Sequence, residues 1–174
     1  MSAMTSDPGK LRVLLVDDSG ERRRLVRELL ATVGVRDVTI AGNAGEALSS
    51  LGRQRVDLML IDQEAEKRSA IAFIRELRTG WDSPAPELPV ILIASADRET
   101  ILSARDAGVT EFLAKPTSAA ALRSRLDEVV ERPRPFVRGE KYVGPCRRRR
   151  KLEQWAGVAR RGRGERKPKD DDAR

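Results

Sequence analysis

The chain has 174 residues, 40% of them hydrophobic, enough for one ordinary globular domain with additional segments. It has no histidine and one cysteine, Cys146, which excludes an intrachain disulfide, a His-based triad, a His metal site and a histidine phosphodonor. The net charge of +7 is unevenly divided: residues 1–131 sum to −3 and residues 132–174 to +10, the pattern of an acidic folded body with a basic arm.

Residues 1–9 are polar, lack a basic-then-apolar leader and are expected to be disordered. No stretch approaches the roughly 18 apolar residues of a membrane span, and a cytoplasmic location is expected. Leu11 to Val16 is a short apolar run ending in Asp17-Asp18 and predicts a buried parallel strand. Ser19 is placed to cap the next helix, where Leu25, Val26, Leu29, Leu30 and Val33 recur at helical spacing before Gly34. Val38 to Ala41 predicts a second strand. Asn43 to Leu51 predicts a helix with Asn43 and Glu46 as a capping box. Val56 to Ile61 predicts a third strand, ending at Asp62, and Ile71, Ile74 and Leu77 mark a third helix. A loop with Pro84, Pro86 and Pro89 leads to strand four, Val90 to Ile93. Asp97 caps and Gly108 stops helix four. Strand five is Glu111 to Ala114, followed by Lys115-Pro116, and Ser118 opens a last helix through Leu122, Leu126, Val129 and Val130. Five apolar strands alternating with five helices predict a parallel α/β sheet covered on both faces, with right-handed connections. After Glu131 the apolar periodicity stops, and residues 132–174 are expected to be largely disordered.

Ligands of an open parallel sheet bind at the carboxyl ends of its strands. There the reading places Asp17 and Asp18, Asp62, Ala94 and Ser95, and Lys115. Three clustered carboxylates repel one another and call for a cation, and with oxygen ligands alone Mg²⁺ is the natural choice. A carboxylate beside Mg²⁺ and an ammonium can accept a phosphoryl group as a nucleophile.

The motifs LLVDDS at 14–19, DLMLID at 57–62, PVILI at 89–93 and EFLAKP ending at Pro116 fall in order at those strand ends. Over residues 10–131 the chain resembles the receiver family of two-component response regulators. The resemblance implies a flavodoxin-like, doubly wound sheet of order 2-1-3-4-5. It implies Asp62 as phosphoacceptor, Asp18 as direct Mg²⁺ ligand, Asp17 acting through water, and the Glu64 backbone carbonyl completing the metal sphere. Lys115 would hold a phosphoryl oxygen, Phe112 would be the aromatic switch, and Lys115-Pro116 would be cis. The family's switch hydroxyl ends strand four: counting from Pro89 puts Ala94 there, with Ser95 one residue late, so either Ser95 takes the role or the hydroxyl is missing. The segment from there to Gly108 is shortened. The family's Met-Pro and glycine after the acceptor are replaced by Gln63-Glu64-Ala65-Glu66-Lys67-Arg68-Ser69-Ala70. Glu64 adds a carboxylate near the site.

The implied role is a signalling switch rather than an enzyme. Its partners would be a histidine kinase or phosphotransfer protein and a downstream protein. Two alternatives stand beside it: a degenerate, phosphorylation-independent interaction module, and a protein that binds nucleic acid or another polyanion through its tail. A small-molecule phosphatase of similar topology is a weaker rival, with Glu64 at a suitable spacing for an acid/base. The tail, Arg134-Pro-Phe-Val-Arg138 followed by Tyr142-Val-Gly-Pro-Cys-Arg-Arg-Arg-Arg150, is similar to an extension on some stand-alone receivers. The rival to the polyanion reading is that Arg147–Arg150 docks back on an acidic surface, with the neighbourhood of the phosphorylation site as one option, and tunes the switch.

Overall fold

The computed structural model describes residues 7–65 and 69–148. The apolar runs become strands because residues buried on both sides need backbone partners in neighbouring chain segments. Strands β1 (Arg12–Val16), β2 (Asp37–Ala41), β3 (Leu58–Asp62), β4 (Val90–Ala94) and β5 (Glu111–Ala114) form one parallel sheet of order β2-β1-β3-β4-β5. Helices α1 (Gly20–Thr32), α2 (Ala44–Arg53), α3 (Ala70–Thr79), α4 (Arg98–Ala107) and α5 (Ala119–Glu131) connect and follow the strands.

Successive strand residues point to opposite faces, so one strand feeds two cores. Val13, Leu15, Leu58 and Leu60 pack under Val26 and Leu30 of α1 and Leu122 and Leu126 of α5. Leu14, Val16, Met59 and Ile61 pack under Ala47 of α2 and Phe73, Ile74 and Leu77 of α3. The architecture is the five-stranded, doubly wound α/β sheet the sequence implies. Ser19, Asn43, Asp97 and Ser118 accept from backbone N–H groups of Arg22, Glu46, Thr100 and Ala121, as the cap assignments require. Gly108 ends α4 in the left-handed region, at φ 88°. Among the described residues no helix is long and apolar enough to cross a membrane.

Two expectations are corrected. At the N-terminus, Pro8–Lys10 forms a single 3₁₀ turn capped by Asp7, so residues 7–9 have defined structure; residues 1–6 lie outside the described residues. At the other end, the tail expected to be largely disordered begins with an antiparallel hairpin, β6 (Phe136–Gly139) and β7 (Tyr142–Pro145). Two short strands alone are marginal in water, and this pair is held by the domain. β7 packs against α3 and α4. Arg134 pairs with the buried Glu111, Arg138 with Glu87 at 3.1 Å, and Arg147 with Asp106 at 3.4 Å. The Arg147 guanidinium lies 3.7 Å from the centre of the Tyr142 ring. Residues 149–174 lie outside the described residues, so the expectation for the rest of the tail, including Arg149 and Arg150, falls there.

Candidate functional site

The sheet order reverses between β1 and β3, and the chain leaves both strands at the same edge, which opens a crevice for a ligand. Asp17 follows β1 directly and is fully buried; its backbone N–H donates to the Ala41 carbonyl at 3.1 Å. Asp18, one residue on, has a half-exposed side chain. Asp62 is the last residue of β3, with a side chain only 3% exposed. Lys115 follows β5, and its Nζ donates to Asp62 Oδ1 at 3.1 Å and stands 3.0 Å from Oδ2. The Lys115-Pro116 bond is cis. Four of the five residues picked for the phosphoryl and metal site therefore converge through their side chains. The fifth, Glu64, was picked for its carbonyl. Its N–H donates to Asp62 Oδ1 at 2.9 Å, and its carboxylate reaches Lys115 Nζ at 3.3 Å.

Sequence reasoning missed Arg22, in the first turn of α1. Its Nε lies 3.2 Å from both Asp17 carboxylate oxygens, and its Nη2 donates to Asp17 Oδ1 at 2.9 Å and Asp18 Oδ1 at 2.8 Å. Nη1 donates to Glu64 Oε2 at 3.2 Å, and Nε lies 3.9 Å from Asp62 Oδ1. The hydrogen bonds that Arg22 donates to Asp17 outweigh partial burial and raise the guanidinium above its ordinary pKa. The available signal was an arginine in a helix's first turn, where the macrodipole disfavours a cation, four residues after Asp18.

Carboxylates from Asp17, Asp18 and Asp62, with backbone carbonyls nearby, are all-oxygen donors and fit a hard divalent cation in kind and in charge. As placed, no three acidic side chains among the described residues surround a point where an ion would sit. The guanidinium takes the Asp17 and Asp18 oxygens instead.

Ala94 ends β4 fully buried and pairs in register with Ala114, while Asp62 pairs with Ile93. Ser95 is exposed beyond the strand, and its N–H donates to Gln63 Oε1 at 3.3 Å. The strand-end position next to Asp62 thus carries a methyl group. Phe112 is half-buried against the core under α3 and α4. It also lines a groove of about 200 Å³ with Ile101, Arg105, Arg134 and Tyr142.

The family model of the response regulator receiver domain matches residues 13–127. The chain belongs to the response-regulator receiver family. This receiver is 33% identical over 123 residues to the chemotaxis protein CheY-3 of Vibrio cholerae, covering 70% of this chain and 93% of that one. Among solved structures it resembles the receiver domain of the Pseudomonas aeruginosa sensor histidine kinase PA1611, whose description places a magnesium ion in the active-site cleft. That match has 26% identity and a TM-score of 0.60, over 70% of this chain and 98% of that one. The chemotaxis response regulator CheY4 of Vibrio cholerae matches with 26% identity and a TM-score of 0.60, over 68% of this chain and 98% of that one. The residues that the family model matches end before the hairpin.

Proposed function

We propose that this receiver is a two-component signalling switch that accepts a phosphoryl group on Asp62. The observation that carries the reading is the Asp62 carboxylate at the end of β3, bonded to Lys115 Nζ and flanked by Asp17 and Asp18. An Asp62 Oδ attacks phosphorus, the bond between phosphorus and the donor breaks, and the donor leaves with its electron pair. Lys115 neutralises charge that builds on the phosphoryl oxygens. Asp18, Asp62 and the Glu64 carbonyl would hold a Mg²⁺ ion directly, and Asp17 would act through water. When bound, that ion lowers the repulsion between the carboxylate and the incoming phosphoryl oxygens. Phe112 is the candidate for reporting the change to partners, and Ala94 supplies no hydroxyl for the partnering switch. The donor would be a histidine kinase or phosphotransfer protein and the target a downstream protein, in the cytoplasm. The chain acts as a switch rather than as an enzyme with turnover.

Intact-mass spectrometry after incubation with acetyl phosphate and Mg²⁺ tests this. One added phosphoryl group is expected, absent in Asp62→Asn. An unmodified wild type that binds Mg²⁺ normally would favour a phosphorylation-independent interaction module, which the missing strand-end hydroxyl and the covered Asp62 also suit. Among the described residues of the tail, Arg134, Arg138 and Arg147 are engaged by Glu111, Glu87 and Asp106 of the domain, which disfavours these three as polyanion contacts.

A further inference from the structure

Arg22 binds the same oxygens that a metal in this cleft requires. Its guanidinium grips Asp17 from two nitrogens, takes Asp18 Oδ1, and approaches Asp62. Glu64 closes the mouth from above: one carboxylate oxygen accepts from Arg22 Nη1 at 3.2 Å, the other from Lys115 Nζ at 3.3 Å. Beneath this bridge the Asp62 side chain is 3% exposed. The outer half of the bridge is weak, because the Glu64 side chain is 62% exposed and such pairs contribute little. The inner half is stronger, because Asp17 is buried and an unpaired buried carboxylate is costly. A divalent ion and a guanidinium cannot share these oxygens without placing like charges within a few ångströms of each other.

We propose that Arg22 is a tethered cation that holds the carboxylate cradle of this receiver shut, and that a divalent metal enters only by displacing it. The inference rests on the reading of the cleft as a metal-assisted phosphoacceptor site. Arg22 supplies the positive charge that the carboxylates need whenever no metal is bound. It thereby lowers apparent metal affinity by the fraction of molecules in which the arginine is in place.

The test is calorimetric titration of Mg²⁺ into the full chain at low ionic strength, with Arg22→Gln and Arg22→Ala. Arg24→Gln serves as a control for net charge, since Arg24, on the exposed face of α1, pairs with Glu28 at 3.2 Å and lies outside the carboxylate cluster. Both Arg22 variants should bind Mg²⁺ about tenfold more tightly than wild type, a gain of about 1.4 kcal/mol, while Arg24→Gln matches wild type. Heat unfolding gives a second measure. Arg22→Gln should melt below wild type without metal, and the gap should narrow as Mg²⁺ saturates both. Equal and measurable affinity in wild type and both Arg22 variants overturns the gate and leaves the phosphoacceptor reading standing. Weaker binding in the variants also overturns it and makes Arg22 part of the assembled site. Folded wild type and variants that all fail to bind Mg²⁺ overturn both the gate and the reading beneath it.

Discussion

Ser69 precedes α3 with φ 81° and makes no side-chain cap bond, so it has the strain of a positive φ without the usual compensation of a serine at a helix start. Ser69→Gly should therefore raise stability by about 1 kcal/mol, read as a higher urea midpoint at an unchanged slope. At the opening of β1, Asp57 accepts from the backbone N–H and the side chain of Arg12, at 3.0 to 3.1 Å. Burial pushes this carboxyl up, but the Arg12 hydrogen bonds and charge outweigh it and hold its pKa below the ordinary value. A depressed carboxylate contributes stability above its unfolded pKa of about 3.9 and loses it as pH falls through the folded value. Asp57→Asn should thus cost about 1 kcal/mol at pH 7, and the deficit should close as the pH drops below about 4, by urea unfolding at each pH. The residues at the phosphoryl site were legible one by one because each directly follows an apolar strand run. The partnership of Arg22 was not, since a helix surface with Arg22, Arg23 and Arg24 in a row does not say which one turns inward.

The strands and helices of the domain were readable as elements because their signals are local: apolar runs, helical spacing, and caps at Ser19, Asn43, Asp97 and Ser118. The hairpin was not, because its stability comes from what it packs on. Gly144 of β7 meets Gly108 at the end of α4 so closely that a Cβ on Gly144 would stand 2.9 Å from Gly108 Cα and 2.6 Å from Tyr142 Oη. Beneath them lies Arg78 of α3, almost fully buried. Its Nε donates to the Gly108 carbonyl at 3.0 Å, its Nη1 donates to the Pro86 carbonyl at 2.8 Å, and the Phe136 ring lies 5.7 Å away. Burial lowers its pKa to about 10. Gly144→Ala should lower stability by about 1–3 kcal/mol through that clash. Gly52→Ala on α2, where a Cβ meets nothing within 4 Å, should be neutral or gain up to about 1 kcal/mol. Thermal unfolding of the two variants side by side measures the difference. In hindsight the sequence cues were Phe136, Val137, Tyr142 and Val143 around a two-residue connection, β-forming residues hidden in a basic composition.

At the scale of the molecule, site and hairpin sit at opposite ends of the sheet. Asp17, Asp62 and Lys115 follow the carboxyl ends of β1, β3 and β5, whereas Glu87, Gly108 and Glu111 lie at the amino ends of β4 and β5. Deleting residues 133–174 should lower the melting temperature, because Arg78 and Glu111 lose their cover. It should leave the rate of Asp62 phosphorylation by acetyl phosphate within about twofold, as expected for separated sites that share no partner. A severalfold change in that rate would make the tail a regulator of the site. The sequence by itself determined the order of elements, both faces of the sheet and the strand ends where chemistry gathers, because apolar periodicity and caps are read within a few residues. Only the tertiary structure decided that Arg22 fills the cleft, that Ala94 rather than Ser95 ends β4 beside Asp62, and that residues 136–145 of the basic tail turn back as a hairpin. Each of these depends on groups far apart in sequence meeting in space, through charge pairing and close backbone contact that no local pattern encodes.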